Sequence, residues 1–201
     1  MKNIVALLMS ICFFATIYAQ DIQSAKVGST IGKMDLKMKD ISGNPVSIYD
    51  AMGNRGVLVI FSCNTCPYVI KNEERILSAI AYAQKNSLGV IIVNSNEDKR
   101  NDDDSYAAMQ EYAKKQGFSC YYVVDSNSEM ANVFGATRTP ETFILNKEGA
   151  VLYKGALDDS PADAKKVTKL YLQQAIDEIV ANKPITTTAT KSIGCTIKRK
   201  S

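Results

Sequence analysis

Histidine is absent from this 201-residue chain. Its absence excludes mechanisms that use an imidazole, including Ser–His and Cys–His catalysis, and removes the commonest metal ligand. The net charge is only +3, and no basic stripe with interleaved aromatic residues is present, so we expect no nucleic acid partner. We likewise expect no metal and no cofactor. The chemistry must come from other side chains.

Two of the five cysteines stand close together in Cys63-Asn64-Thr65-Cys66-Pro67. They follow the apolar run at residues 57–61, which is typical of a strand buried on both faces, and they precede apolar residues at helical spacing. At a helix N-terminus the first thiol is exposed, and its thiolate is stabilised by the helix dipole and by free N–H groups. We therefore expect Cys63 to be an exposed nucleophile of lowered pKa, and Cys66 to resolve the mixed disulfide that Cys63 forms.

The N-terminus has the pattern of an export signal. A short basic start precedes an almost wholly apolar run at residues 4–17, and Ala19 is the small residue before the expected cut. A membrane anchor is the alternative, but a spanning helix needs ~20 apolar residues. We expect residues 1–19 to be removed, no membrane span to remain, and the protein to be exported, to the periplasm if the source is a Gram-negative bacterium. Disulfides persist in such a compartment.

The rest of the chain alternates between strand and helix patterns. We expect one domain over residues 20–183 and a loosely attached, Thr- and Lys-rich tail over 184–201. A β-hairpin opens the domain, and the acidic segment 94–104 is interpreted as a solvated loop. Strands are predicted at 57–61, 90–93, 121–124, 142–145 and 151–153, with helices after Pro67, after Ser105, at 128–134 and around 172–180. This order predicts an α/β fold with a central mixed sheet and helices on both faces.

Several separate blocks carry a family resemblance. They are Cys63 to Val69, Asp104-Ser105-Tyr106, Gly135-Ala136, Thr139-Pro140-Glu141, Tyr153-Lys154-Gly155 with Asp158-Asp159, and Gly194-Cys195-Thr196-Ile197-Lys198. With them the chain resembles the thioredoxin-fold superfamily, and within it the peroxiredoxin-like branch of the redoxin (alkyl hydroperoxide reductase and thiol-specific antioxidant) family. The resemblance extends from about residue 30 to the C-terminus.

This resemblance implies a thioredoxin-like fold with an α–β insertion between the dithiol helix and a cis proline at Pro140. Thr139 and Pro140 would shape a substrate groove beside the thiols, where the backbone before the proline pairs with a substrate chain as an added strand. Glu141 is either a proton acceptor near the thiols or a solvated residue.

The chain departs from the family pattern around the dithiol. Thr65 replaces a histidine that members often carry between the cysteines, and Ser62 replaces the tryptophan of many thioredoxins. Without a cation between the cysteines, a reducing or intermediate potential is expected. The proline and threonine or serine that precede a peroxidatic cysteine in peroxiredoxins are also missing before Cys63.

The two remaining cysteines of the domain and tail are less informative. Cys120 precedes a strand and is interpreted as a small buried hydrophobic residue. Cys195 lies in the polar tail, and its block recurs in the family. It can pair with Cys120, act as a third redox thiol, or stay free, and the sequence does not choose between these.

The sequence therefore favours an exported thiol–disulfide oxidoreductase. Its partners would be a disulfide-containing protein or small-molecule substrate and a thiol electron donor or acceptor. The alternatives are a thiol peroxidase that uses Cys63 and a non-catalytic thioredoxin-fold binding module.

Overall fold

The structure is a computed structural model that describes residues 22–200. The predicted signal peptide, residues 1–19, lies outside this range. The strands are β1 Met38–Asp40, β2 Pro45–Val46, β3 Val57–Ser62, β4 Gly89–Asn94, β5 Tyr121–Val124, β6 Arg138–Thr139, β7 Glu141–Leu145, β8 Val151–Gly155 and β9 Cys195–Thr196. The helices are α1 Pro67–Ile70, α2 Glu73–Lys85, α3 Tyr106–Gln116, α4 Glu129–Phe134 and α5 Tyr171–Val180.

Seven of these strands form one mixed sheet in the order β2-β1-β5-β4-β3-β7-β8. Strands β3, β4 and β5 are parallel neighbours, whereas β7 and β8 form an antiparallel hairpin beside β3. The hairpin of β1 and β2 joins the sheet through β5, and α3 and β5 form the insertion. This arrangement confirms the predicted thioredoxin-like α/β fold.

The sheet separates two hydrophobic cores. Side chains of β3 alternate between them, because successive residues of a strand point to opposite faces. Leu58 and Ile60 pack in the first core with helices α2, α3 and α5. Phe61 packs in the second core with α4 and the N-terminal segment. Helices thus cover both faces. The dithiol follows directly after the end of β3, and both of its cysteines belong to the first core.

The helix boundaries follow local sequence signals. The Ser105 side chain caps α3 by accepting a hydrogen bond from the Ala108 N–H at 3.3 Å, as predicted. Gly117 ends α3 in the left-handed conformation, with a φ of 68°. The helical pattern after Pro67 is divided into α1 and α2 at the buried Asn72, whose side-chain amide donates to the carbonyls of Tyr68 and Pro161.

The tail is not loosely attached, and that expectation is wrong. Thr188 and Thr190 hydrogen-bond with the backbone of Lys154 in β8. Farther along, β9 pairs with β6, and Ile197 is buried in the second core. The otherwise polar segment is held by the strand pairing at Cys195 and by the burial of the Ile197 side chain. Within residues 22–200, no helix is both long and apolar enough to cross a membrane.

The aromatic cluster under the sheet gives a direct test of the second core. Phe134 packs edge-on against Phe61 and Phe143, with ring centroids 5.3 and 5.0 Å apart. We expect Phe134→Ala to lower the free energy of unfolding by ~3–5 kcal/mol, because a large buried side chain is lost and a cavity remains. Denaturant unfolding measures this loss.

The matched control is Tyr49→Ala, which removes an aromatic ring that is 52 % exposed. Its expected effect is within ~0.5 kcal/mol. Equal losses in the two variants, measured in the same redox state, would contradict the packing described for α4.

Candidate active site

The dithiol segment lies at the predicted junction of strand and helix. Strand β3 ends at Ser62, and α1 begins at Pro67. Cys66 occupies the N-cap position with extended backbone angles. Pro67 follows in the first helical turn, where its missing N–H leaves no hydrogen bond unmade. The local geometry places both cysteines at the end of the central strand.

Cys63 is nevertheless buried, with only 2 % of its surface exposed. Burial raises the pKa of its thiol, and the Asp104 carboxylate raises it further. Hydrogen bonding lowers the pKa of the same thiol by a smaller amount. The contacts are the Thr139 hydroxyl, 3.5 Å from Cys63 Sγ, and the N–H groups of Cys66 and Thr65. The expectation of an exposed thiol of lowered pKa is therefore wrong, because desolvation outweighs the donors at the start of a four-residue helix.

Cys66 forms a disulfide with Cys195, 129 residues away, with the two Cα atoms 6.0 Å apart. Cys63 remains a free thiol. Cys195 does not pair with Cys120, which is a free, half-buried thiol. Burial raises the pKa of the Cys120 thiol to about 12. Of the roles left open for Cys195, the pairing with Cys120 is wrong, and its bond to Cys66 places it beside the dithiol.

Thr139, the residue before Pro140, lies against both sulfur atoms. The peptide bond between Thr139 and Pro140 is cis, as the resemblance implied. The Thr139 hydroxyl contacts Cys63 Sγ, and its carbonyl oxygen lies 3.2 Å from Cys66 Sγ. Thr139 also pairs with Cys195 in the β6–β9 ladder. The structure thus brings together Cys63, Cys66, Thr139, Pro140 and Cys195.

Glu141 has a different role from either of those expected. It is 8 % exposed, so it is not solvated. Its carboxylate accepts hydrogen bonds from the N–H groups of Thr137 and Arg138 at 2.8 and 3.1 Å. In the sheet Glu141 pairs with Phe61, whose side chain packs in the second core, whereas both thiols belong to the first. Glu141 therefore holds the turn before Pro140 and belongs to the face of the sheet opposite the core that contains the thiols.

A buried polar network surrounds the other side of the dithiol. The fully buried Asp104 carboxylate accepts hydrogen bonds from the Asn64 N–H and from the side-chain amides of Asn94 and Asn96, at 2.7–2.9 Å. Tyr122 donates to the Asn64 side chain at 2.7 Å. The interpretation of 94–104 as a solvated loop holds for Asp98 and residues 101–103, which are exposed, but it is wrong for residues 94–96 and Asp104, which are buried in this network.

The same network reaches the tail. The Asn96 side-chain oxygen accepts from the Lys198 N–H at 2.9 Å, and the Lys198 carbonyl accepts from the Asp98 N–H at 2.9 Å. Sequence reasoning missed these contacts because polar residues in an acidic run are typical of surface loops. The one available signal was the Asp104-Ser105-Tyr106 block. Among residues 22–200, no cluster of three or more acidic or cysteine side chains is arranged to hold a metal ion.

Comparisons with known proteins agree with this fold. The chain is 25 % identical over 154 residues to the thiol-disulfide oxidoreductase ResA of Geobacillus thermodenitrificans, covering 75 % of this chain and 83 % of ResA. Two solved structures superpose with TM-scores of 0.78. An uncharacterized conserved protein from Geobacillus kaustophilus is 25 % identical, with 89 % of this chain and 93 % of that chain covered. A hypothetical protein from Sinorhizobium meliloti is 27 % identical, with coverages of 89 and 97 %.

A model of the Redoxin family matches residues 26–171, from the segment before β1 to the start of α5. The matched part contains the dithiol, the Asp104 network and the cis proline, while Cys195 lies beyond it. With most of the chain matched and the thioredoxin-like sheet in place, this protein belongs to the Redoxin family.

Proposed function

We propose that this protein is a thiol–disulfide oxidoreductase whose reactive pair is Cys63 and Cys66. One observation carries the proposal: Cys63 is a free thiol, Cys66 three residues later is in a disulfide, and both sulfurs contact Thr139. A thiol beside a disulfide is the arrangement from which thiol–disulfide exchange proceeds. The relative from Geobacillus thermodenitrificans, which is named for this activity, supports the same assignment.

The reaction starts from the reduced dithiol. The Cys63 thiolate attacks one sulfur of a substrate disulfide, a Cys63–substrate bond forms, and the other substrate sulfur leaves as a thiolate that takes a proton from solvent. The Cys66 thiolate then attacks Cys63 Sγ and releases the second substrate thiol. The substrate gains two electrons, and the protein is left with a Cys63–Cys66 disulfide. A separate thiol donor restores the reduced form.

The residues before Cys63 favour disulfide exchange over peroxide reduction, because the proline and the threonine or serine that precede a peroxidatic cysteine in peroxiredoxins are missing there. Burial and the Asp104 carboxylate raise the pKa of Cys63, so little thiolate is present at neutral pH. A destabilised thiolate is also a poorer leaving group, which favours a reducing pair over a strongly oxidising one. A thiol peroxidase that uses Cys63 is the alternative function. A peroxide-consumption assay with a thiol reductant tests it.

The substrate we propose is a disulfide-containing protein or small molecule.

We also propose that the protein is exported. The apolar run at residues 4–17 and Ala19 support export. Mass spectrometry of the mature protein from the native host tests it. An N-terminus at Gln20 in the exported fraction is the expected result, and a retained Met1 would contradict cleavage.

Substitution of the cysteines separates their roles. Cys63→Ser should lower reduction of insulin disulfides by dithiothreitol more than about a hundredfold, because the attacking sulfur is lost. Cys66→Ser in a Cys195→Ser background should accumulate a Cys63–substrate mixed disulfide, since both nearby resolving thiols are gone. Turnover assays and non-reducing mass spectrometry measure the two outcomes.

The control is Cys120→Ser, which removes the other free thiol of residues 22–200 and should leave turnover unchanged. Equal activity in the Cys63→Ser and Cys66→Ser proteins would refute the assignment. Activity that disappears only with Cys120 would do the same.

The pH dependence of Cys63 alkylation tests the role of Asp104. Because burial and Asp104 both raise the pKa of Cys63, its reaction with iodoacetamide should still be accelerating with pH above 9.0, the ordinary value. Asp104→Asn removes the negative charge, so the pKa should fall and the rate at a fixed pH below it should rise. The rate profile of the form with the Cys66–Cys195 disulfide intact measures this shift.

Asp103→Asn is the matched control, because Asp103 is the exposed neighbour of Asp104. Its backbone carbonyl accepts a hydrogen bond from the Asn64 side chain, but its own side chain is exposed, so the same chemical change there should leave the profile in place. Identical profiles for the two variants would show that Asp104 does not act on the thiol.

A further inference from the structure

The edge of β6 beside the two cysteines is covered by the chain's own C-terminal segment. Within residues 22–200, β9 is the strand that pairs with β6, and it does so through Thr139 with Cys195 and Arg138 with Thr196. The Ile197 N–H adds a hydrogen bond to the Thr137 carbonyl at 3.0 Å. A strand edge next to reactive sulfurs is a surface on which an extended peptide can add.

Each residue of the segment 194–198 occupies a distinct position on this edge. Cys195 is bonded to Cys66, and the Thr196 hydroxyl accepts a hydrogen bond from the Arg138 side chain at 2.9 Å. Ile197 is 3 % exposed and fills a place in the second core. Lys198 is held through its backbone by Asn96 and Asp98. The segment is thus seated through main-chain bonds and one buried apolar anchor.

Gly194 is required by the closeness of this approach. A Cβ atom placed on it would lie 2.1 Å from the Thr139 carbonyl oxygen, which is far inside van der Waals contact. That oxygen belongs to the same residue that flanks both dithiol sulfurs. Any chain that sits on this edge in the same register therefore needs glycine immediately before its cysteine.

We propose that residues 194–198 are a tethered peptide in the substrate site, and that the site takes extended polypeptide segments whose reactive cysteine follows glycine and stands two residues before an apolar side chain. The proposal rests on the proposed function, since it names the substrate class of the same dithiol. The tail keeps the site closed for as long as Cys195 is bonded to Cys66.

The tail is released by an exchange that itself needs no external oxidant or reductant, and the separate thiol donor then reduces the Cys63–Cys66 disulfide to the dithiol that attacks a substrate. The Cys63 thiolate attacks Cys66 Sγ, the Cys63–Cys66 bond forms, and the Cys66–Cys195 bond breaks. Cys195 leaves as a thiolate and takes a proton from solvent, so the number of disulfides is unchanged. The reverse exchange recloses the site after turnover and returns Cys63 to the free thiol.

The first test weakens tail docking without touching a cysteine. In Gly194→Val the new side chain collides with the Thr139 carbonyl, so the oxidised protein should shift from the Cys66–Cys195 to the Cys63–Cys66 disulfide by about tenfold or more, the effect of losing one to two hydrogen bonds. Non-reducing peptide mapping of the full chain at equilibrium measures the ratio. The KM for a protein disulfide should fall with kcat little changed.

Gly32→Val is the matched control, because a Cβ atom there meets nothing within 4 Å. It should keep the wild-type ratio. An unchanged ratio in Gly194→Val, with circular dichroism showing a folded protein, would overturn the tethered-peptide proposal. A wild-type protein that does not reduce insulin would refute the proposed function. The ratio of the two disulfides would still test whether the tail is docked as described.

The second test supplies the segment in trans. The reduced, full-length Cys195→Ser protein is mixed with the peptide Ser-Ile-Gly-Cys-Thr-Ile-Lys-Arg, whose cysteine carries thionitrobenzoate as a mixed disulfide. Release of thionitrobenzoate should be about tenfold faster than from the same peptide with valine in place of glycine. Equal rates for the two peptides would overturn the substrate class, and no release from either would contradict the proposed function.

Discussion

The buried carboxylate of Asp104 is the interaction on which the site depends. An unpaired charge in a protein interior is very costly, so the folded state must bring hydrogen-bond donors to it. Those donors come from the dithiol segment, through the Asn64 N–H, and from the loop after β4, through Asn94 and Asn96. Asn96 in turn holds the Lys198 N–H of the tail. One charge therefore fixes the relative positions of three segments that are far apart in sequence.

This anchoring has a cost in reactivity. The carboxylate that orders the dithiol loop also raises the pKa of Cys63, and the burial that accompanies the ordered loop raises it more. An exposed thiol at this position would ionise more readily. The proposed exchange chemistry therefore depends on a substrate sulfur that reaches the buried Cys63.

The sequence predicted the features that depend on local pattern. Strand β3, the Ser105 cap and the strand–turn–helix position of Cys63 and Cys66 follow from apolar runs and capping preferences, and the structure has them. The errors concern residues whose environment is set by distant segments. Glu141 binds the turn before it, and Cys63 lies buried beside Thr139, 76 residues later in the chain. No periodicity encodes such contacts, because they arise only when the sheet assembles.

The choice of disulfide partner follows from a balance of two free energies. Cys66 can bond to Cys63, which closes a very short loop, or to Cys195, which closes a loop of 129 residues and orders a polar tail. Most of the chain between Cys66 and Cys195 is already ordered by the fold, so the entropic cost of this bond is the ordering of the tail, and docking of the tail must offset it. Burial of Ile197 contributes ~1.5–3 kcal/mol, and the backbone bonds of residues 195–198 add to it. Because both disulfides share Cys66, any ligand that competes for the β6 edge removes this contribution and moves the disulfide to Cys63. If substrates bind at this edge as proposed, substrate binding and the redox state of the dithiol are coupled through the two residue pairs that join β6 and β9.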